Sequence, residues 1–207
     1  MRKSYATPIL AILLLVAGAL AGTATANTQA WQVNGPHTEV AFSVNHFFTP
    51  VTGSFSDFEI DFDYDSDHPA KSTVSARIKV ASIATGNERR DNHLRSDDWF
   101  SADEYPYITF ESQSVKQAGK DRLVASGTLT IKGQSKPVTL EIGLLGTRQI
   151  PEQMQEMLGG AKQVASFQAG TSIDRGDFEV GVGSWAGNMV VGDEIAITIL
   201  LEAHQTG

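Results

Sequence analysis

Cysteine is absent from all 207 residues. The chain therefore forms no disulfide and offers no thiol nucleophile, and its core must hold the fold unaided. Lipid modification at a leader cleavage site needs a cysteine there, so it is excluded too. Basic residues are scarce: 16 Lys and Arg stand against 24 Asp and Glu, for a formal net charge of −8. Such a chain repels phosphate backbones and anionic surfaces. That excludes nucleic acid as a partner, and with it a stable electrostatic hold on a bilayer.

Catalytic signatures are missing as well. No G-x-S-x-G elbow occurs, which removes a serine hydrolase of that type. Gly181-Val182-Gly183 lacks the strand-to-helix setting of a dinucleotide loop. The five His, at positions 37, 46, 68, 93 and 204, show neither H-E-x-x-H nor any paired ligand spacing. A metal site could still be assembled from separate strands by His37, His46 and His93. No internal repeat, low-complexity linker or domain boundary is evident.

Long apolar runs are confined to the start. Arg2 and Lys3 precede an apolar stretch from Ile9 to about Ala21, followed by Ala24-Thr25-Ala26. A basic start, a short apolar run and a small-x-small site make a secretory signal peptide over residues 1–26. The run is shorter than the roughly 20 residues a membrane-spanning helix needs. Cleavage leaves residues 27–207 as one domain, two charges more acidic than the whole, exported to the periplasm and free of stable membrane insertion.

What the chain has in abundance is period-two alternation, the mark of half-buried strands. Val40, Phe42 and Val44 share a face, and so do Phe58, Ile60, Phe62 and Tyr64. Further alternating segments run through Val74–Val80, Ile108–Phe110, Leu123–Ile131, Val138–Leu144, Ala165–Ile173 and Ile195–Leu201. These eight strands with short links predict an all-β fold, a closed antiparallel barrel or a sandwich; the eight-stranded antiparallel barrel is favoured because closure removes reactive edges. A barrel of that size either packs its own side chains or holds one small ligand. The small inward residues Ala76, Ala125, Gly127, Gly143, Ala165 and Ala169 fit either case. They relieve crowding or leave room for a guest.

The stretch DFEIDFDYD, Asp57 to Asp65, resembles a calcium loop in its D-x-D-x-D tail. Spacing argues otherwise: a loop beginning at Asp61 would need Gly at position 66 and Glu at position 72, where the chain has Ser66 and Ser72. The acids are expected on an outer strand face, opposite Arg77 and Lys79. Two segments break the strand rhythm. In Asn87–Tyr105, Asp97 and Asp98 are expected to cap a helical turn carrying Trp99 and Phe100. Pro151–Leu158 reads as a second short helix, ended by Gly159-Gly160. The run Arg89-Arg90-Asp91-Asn92-His93 is the densest polar cluster. It serves either as a head-group contact at a pocket mouth or as a structural network with Asp174, Arg175 and Asp177 as partners.

Several blocks resemble the YceI-like family of exported lipid-binding proteins. They are HTEVAFSVNHF (His37–Phe47), SIATGNERRDNHLRSDDWFSADEYPYITFES (Ser82–Ser112), SGTLTIKGQSKPVTL (Ser126–Leu140) and IDRGDFEVG (Ile173–Gly181). The R-D-x-H-L-x-S block with Y-P-x-I-x-F downstream is specific in this order. The resemblance implies a lipocalin-like barrel over residues 27–207, with one or two short helices. It also implies an apolar cavity for a polyisoprenoid or similar amphiphile, no general catalytic activity and no cofactor besides that bound isoprenoid or acyl lipid. Two loops depart from the family pattern, TRQIPEQMQEMLGGAKQ (residues 147–163) and SWAGNM. On this reading Phe42, Val44, Phe58, Ile60, Phe62, Ile78, Phe110, Leu129, Leu140, Phe167, Ile197 and Ile199 line the tail pocket. His46, Arg90, Asp91, His93, Asp174 and Arg175 form the polar cluster, with Arg90 and His93 as expected head-group contacts. Two other functions stay open: a metal-assisted enzyme built on the His and acid groups, and an interaction module whose barrel is full. Whether the chain is a monomer or a homodimer is left open by the residues.

Overall fold

The computed structural model describes residues 31–65, 67–187 and 190–206. Residues 1–26, expected from sequence to be a leader, lie outside them. Eleven strand segments form one antiparallel sheet: β1 (Trp31–Val33), β2 (Glu39–His46), β3 (Thr49–Phe55), β4 (Phe58–Asp63), β5 (Thr73–Lys79), β6 (Ile83–Ala84), β7 (Tyr107–Gly119), β8 (Arg122–Ile131), β9 (Gln134–Gln149), β10 (Gln163–Asp174) and β11 (Val191–Gln205). Three pairs of segments are single strands broken in mid-course. A 3-10 turn at Gly35–His37 separates β1 from β2, a bend at Ser56-Asp57 separates β3 from β4, and a 3-10 turn at Val80–Ser82 separates β5 from β6.

Register shows that the breaks lie side by side. Val40 faces Phe55 and Trp31 faces Phe62, so β1–β2 and β3–β4 form one long interrupted hairpin. Phe58 faces Ile78, and Phe55 faces Ile83, which continues the pattern to the next strand. Counted this way, the molecule is a closed eight-stranded antiparallel barrel. Its first and last strands meet through Trp31–Gln205 and Val33–Ala203, while β2 pairs along the rest of β11. The eight alternating segments predicted from sequence are all strands. The segments β1, β3 and β6 were not predicted.

The charged row on the outer face behaves as alternation requires. Glu59 faces Arg77, 3.9 Å apart, and Lys79 Nζ lies 3.1 Å from Asp57. Asp65 leaves the strand and caps a turn, accepting the backbone N–H of His68 at 2.8 Å and of Asp67 at 2.9 Å. The His68 N–H bond, ahead of that from Asp67, holds its carboxyl below the usual range.

The polar crossover folds differently from its sequence reading. Its helix, α1, spans Glu88–Arg95 and is capped by Asn87, whose Oδ1 accepts the N–H of Arg90 at 3.0 Å. Glu88 and Asp91 in the first turn and His93 and Arg95 in the last suit the helix dipole. Asp97 instead accepts the hydroxyl of Ser101, and residues 97–100 form turns. Arg95 fastens α1 to the strand break, donating to the carbonyls of Ala81 and Ile83 at 3.0 Å each. The second helix, α2, is one turn, Glu152–Gln155, with Pro151 as its N-cap, and Gly159 and Gly160 follow at positive φ.

Candidate functional site

The barrel encloses a cavity of about 420 Å³. That lies within the range of small-molecule sites, about 300–1,000 Å³. The cavity occupies one half of the barrel only. In the other half Ala125, Ala165 and Ala203 are fully buried, with Val115 and Leu123 packed beside them. Between the halves stands a floor of aromatic rings. Phe62 meets Phe167 edge-on at 4.9 Å and stacks on Tyr64 at 5.9 Å, and Trp31 leans on Tyr64 at 6.2 Å. Trp31 Nε1 donates to the Tyr64 carbonyl at 3.0 Å, which fixes the far side of this layer. Burial, ahead of the nearby Asp121, Asp65 and Asp67 charges, raises the Tyr64 phenol above its ordinary 10.0.

Small residues divide between the halves by role. Ala76 and Ala169 line the cavity, whereas Ala125 and Ala165 pack the solid half. At Gly127 a Cβ would lie 2.2 Å from the Glu111 carbonyl oxygen, so that glycine permits close strand approach beside a bulge in β7. Gly143, by contrast, has only one atom, the Gln168 carbonyl, within 4 Å of such a Cβ.

Eleven of the twelve residues expected to line the tail pocket border the cavity: Phe42, Val44, Ile60, Phe62, Ile78, Phe110, Leu129, Leu140, Phe167, Ile197 and Ile199. Phe58 does not. It lies just after the Ser56-Asp57 bend, opposite the lining residue Ile78, and packs half-buried against the core instead. Of the polar set, His46, Arg90, His93 and Arg175 border the cavity and Asp91 and Asp174 do not.

Their bonds separate structural from available groups. Buried Asp91 accepts the N–H of Thr85 at 2.9 Å and its hydroxyl at 2.5 Å. Arg90 donates to the same Thr85, through Nε at 2.7 Å and Nη2 at 2.8 Å. Neither residue pairs with Asp174 or Arg175, as the network reading had it. Asp174 caps its own turn at Gly176 N. Arg175 is buried and spent on the loop that precedes β11. It donates to the carbonyls of Val180, Trp185 and Gly192 at 3.0 Å each, to that of Gly181, and to Asp193 Oδ1 at 2.7 Å. This single guanidinium therefore ties residues 180–185 to residues 191–193 over the barrel end.

The three His do not converge. His37 lies with Asn34 and Glu202 on the solid half, Glu202 being 2.9 Å from His204 Nε2. His46 and His93 lie at the cavity. Among the described residues no group of three or more His, Asp or Glu is placed to hold a metal ion.

Sequence reasoning missed the aromatic cap. Trp99 and Trp185 border the cavity with rings 5.7 Å apart, and His93 meets Trp185 edge-on at 5.2 Å. Trp99 Nε1 is buried without a hydrogen-bond partner among the described residues. Lys132 ties this cap to the β8–β9 turn through the carbonyls of Asp97 at 3.2 Å and Glu179 at 3.1 Å. Such residues sit in irregular segments, where no period exposes them. The only usable signal was aromatic content in an otherwise polar stretch.

Of all the lining residues only Asn45, His46 and Arg90 are exposed, which places the mouth between the β2–β3 hairpin and α1. The two unusual loops fall at opposite ends. Residues 150–162 close the solid half, with Ile150 N on the Lys162 carbonyl and Lys162 N on that of Gln205, both at 2.8 Å. Of the SWAGNM segment, Trp185 borders the cavity, and Asn188 and Met189 lie outside the described residues.

Comparison with known proteins agrees with this architecture. Residues 31–203 match the YceI-like domain model. Protein YceI of Escherichia coli O157:H7 is 37% identical over 161 residues, covering 77% of this chain and 80% of the relative. A UPF0312 protein of Photorhabdus laumondii is 36% identical over 171 residues, covering 81% and 84%. The crystal structure of Burkholderia cenocepacia BcnA superposes with a TM-score of 0.73 at 27% identity, covering 83% of this chain and 99% of BcnA. A polyisoprenoid binding domain from Saccharophagus degradans shares the fold at a TM-score of 0.59 and 16% identity, covering 86% and 99%. With its whole barrel matched from the first strand to the last, the chain belongs to the YceI-like family.

Proposed function

We infer that the protein is an exported carrier or store for a long isoprenoid or similar amphiphilic chain, held in the hollow half of the barrel. The observation that carries this reading is the cavity, about 420 Å³ and walled almost throughout by aliphatic and aromatic side chains. Each methylene taken from water into such a space contributes about 0.8 kcal/mol, so a few isoprene units bind well even after ordering costs. Chain identity is read loosely, because one methylene changes selectivity by only about 1–3 kcal/mol. The fold shared with a domain that binds polyisoprenoids supports the same class of guest. Export follows from the leader pattern of residues 1–26.

Native mass spectrometry of the purified full chain, with organic extraction of whatever it carries, tests this. The expected result is a noncovalent adduct that extraction identifies as a prenyl or acyl chain. A barrel that stays bare after incubation with long-chain prenols and fatty acids overturns the reading.

A further inference from the structure

One side of the cavity rim has a composition found nowhere else among residues 31–207. Two runs there lack Asp, Glu, Lys and Arg altogether, residues 40–56 and residues 180–192. They are the longest such runs in that span, in a chain where 19% of residues are charged. The fold brings both to the mouth. Residues 40–56 make the β2–β3 hairpin, and the described part of the second run, 180–187 and 190–192, leads into β11. Phe47 N donates to the Val190 carbonyl at 2.7 Å, and Val191 pairs with His46, so the two runs are neighbours.

At the tip of the hairpin stand two adjacent phenylalanines. Phe48 is 96% exposed and Phe47 53% exposed, with Phe47 at a φ of +53°. A bulky residue in the left-handed region is strained. The turn presents both rings outward, immediately after His46 at the mouth. Val182, 40% exposed, adds a third apolar group from the neighbouring run.

Other exposed apolar side chains lie elsewhere and differ in setting. Met154 and Met157 sit in the loop over the solid half, among Glu152, Glu156 and Lys162. Among the described residues, only this side of the rim, across the mouth from Arg90 and α1, combines exposed aromatic groups, an absence of formal charge and continuity with an apolar cavity.

We propose that this rim docks reversibly on the surface of a lipid bilayer, with Phe47 and Phe48 entering the interface so that a chain passes from membrane to cavity without crossing water. The inference rests on the reading of the cavity as a chain-binding site. Three observations select a bilayer over other occupants. The cavity opens directly beside the phenylalanines. Its guest class is at home in a membrane. The acidic body would be held off an anionic surface, whereas the hairpin side of the rim carries no acid to be repelled and faces the basic Arg90 across the mouth. Two exposed aromatic groups are enough for shallow, transient contact and too few for insertion.

The test uses the full chain, phosphatidylcholine vesicles containing a long-chain prenol, and two variants. Phe48→Ser removes the tip; Met157→Ser removes a 72% exposed apolar group from the opposite end. Each protein is floated with vesicles, timed for prenol uptake from them by native mass spectrometry, and loaded separately from ethanol solution without membranes. Phe48→Ser is expected to lower vesicle association and the uptake rate by about tenfold or more, Met157→Ser to leave both unchanged, and all three proteins to load equally from ethanol. Docking by the tip's apolar surface also predicts association that persists at high salt. Loading from ethanol without vesicle association, or uptake by Phe48→Ser at the parent rate, overturns this proposal alone. A dimer that Phe48→Ser dissolves, with uptake unaltered, overturns it too and assigns the tip to a second copy. Failure to load from either source fells the cavity reading together with it.

Discussion

At one end of the barrel Ala125, Ala165 and Ala203 leave no accessible surface, and at the other the same strands face a hollow. β8 and β10 run through both. Along β10, Ala165 is sealed, Phe167 is part of the floor, and Ala169, Thr171 and Ile173 border open space. Alternation is identical in the two halves, so periodicity does not create the cavity. What changes is the opposing layer. The solid half is packed around small side chains, Ala165 and Ala203 paired on β10–β11 and Ala125 on β8, whereas aromatic rings at the floor and in the Trp99–Trp185 cap bound the hollow one. Close packing thus lies below the floor and room for a guest above it.

The sharpest way to break this comparison is to make the same change on both sides. Ala125→Leu overpacks the solid half and is expected to cost about 1–3 kcal/mol in urea unfolding. Ala169→Leu points the same added bulk into empty space. Its unfolding free energy should stay within about 1 kcal/mol of the parent while retention of a long prenyl chain falls sharply. Equal losses of stability would show the halves to be packed alike.

A smaller effect tests the floor between them. The folded Tyr64 phenol holds its proton more tightly than the unfolded one, whose pKa is near 10.0. Its contribution is therefore complete below pH 10 and is lost as pH rises through the raised folded value. Tyr64→Phe should flatten the alkaline limb of the stability profile, with little change at neutral pH. A denaturation series from about pH 8 to about pH 11 checks this. An unaltered alkaline limb would place the ring in water.

The smallest effect is expected on the outer surface, which both halves share. Lys79→Glu turns the Lys79–Asp57 pair into a repulsion between exposed groups. The urea midpoint should drop slightly, and added salt should erase the difference. A large loss would mean that the acidic row belongs to the core of the fold.

Much of this was legible in the sequence, for a definable reason. Strands that alternate over six or more residues with Val, Ile, Leu or Phe on one face announced themselves, and so did the inward side chains that now border the cavity. β3, Thr49–Phe55, was hidden because Pro50 and Gly53 interrupt its pattern and only Val51 and Phe55 are clearly apolar. Gly53 has its own physical reason, since a Cβ there would meet the Phe42 ring at 2.5 Å and Thr85 at 2.8 Å. β1 and β6, three and two residues long, carry no period at all. The helix was displaced in the sequence reading because two caps competed. Asp97 and Asp98 precede aromatic residues, but Asn87 precedes a run free of β-branched residues, and there the backbone bond is made. Arg175 looked like a partner for charges on the crossover. Its guanidinium was claimed instead by carbonyl groups, which sequence reading cannot count.

The ring is closed by the pairing of Trp31 with Gln205 and of Val33 with Ala203. These contacts join the first and last strands of the domain, so loop closure spans nearly its entire length. The barrel thus has no intermediate ring to settle into. Until the last strand is available, β11 cannot cover the open edges of β2 and β10, and the cavity has no wall on that side. A chain built this way becomes a container only when the strands at both ends of the barrel are in place.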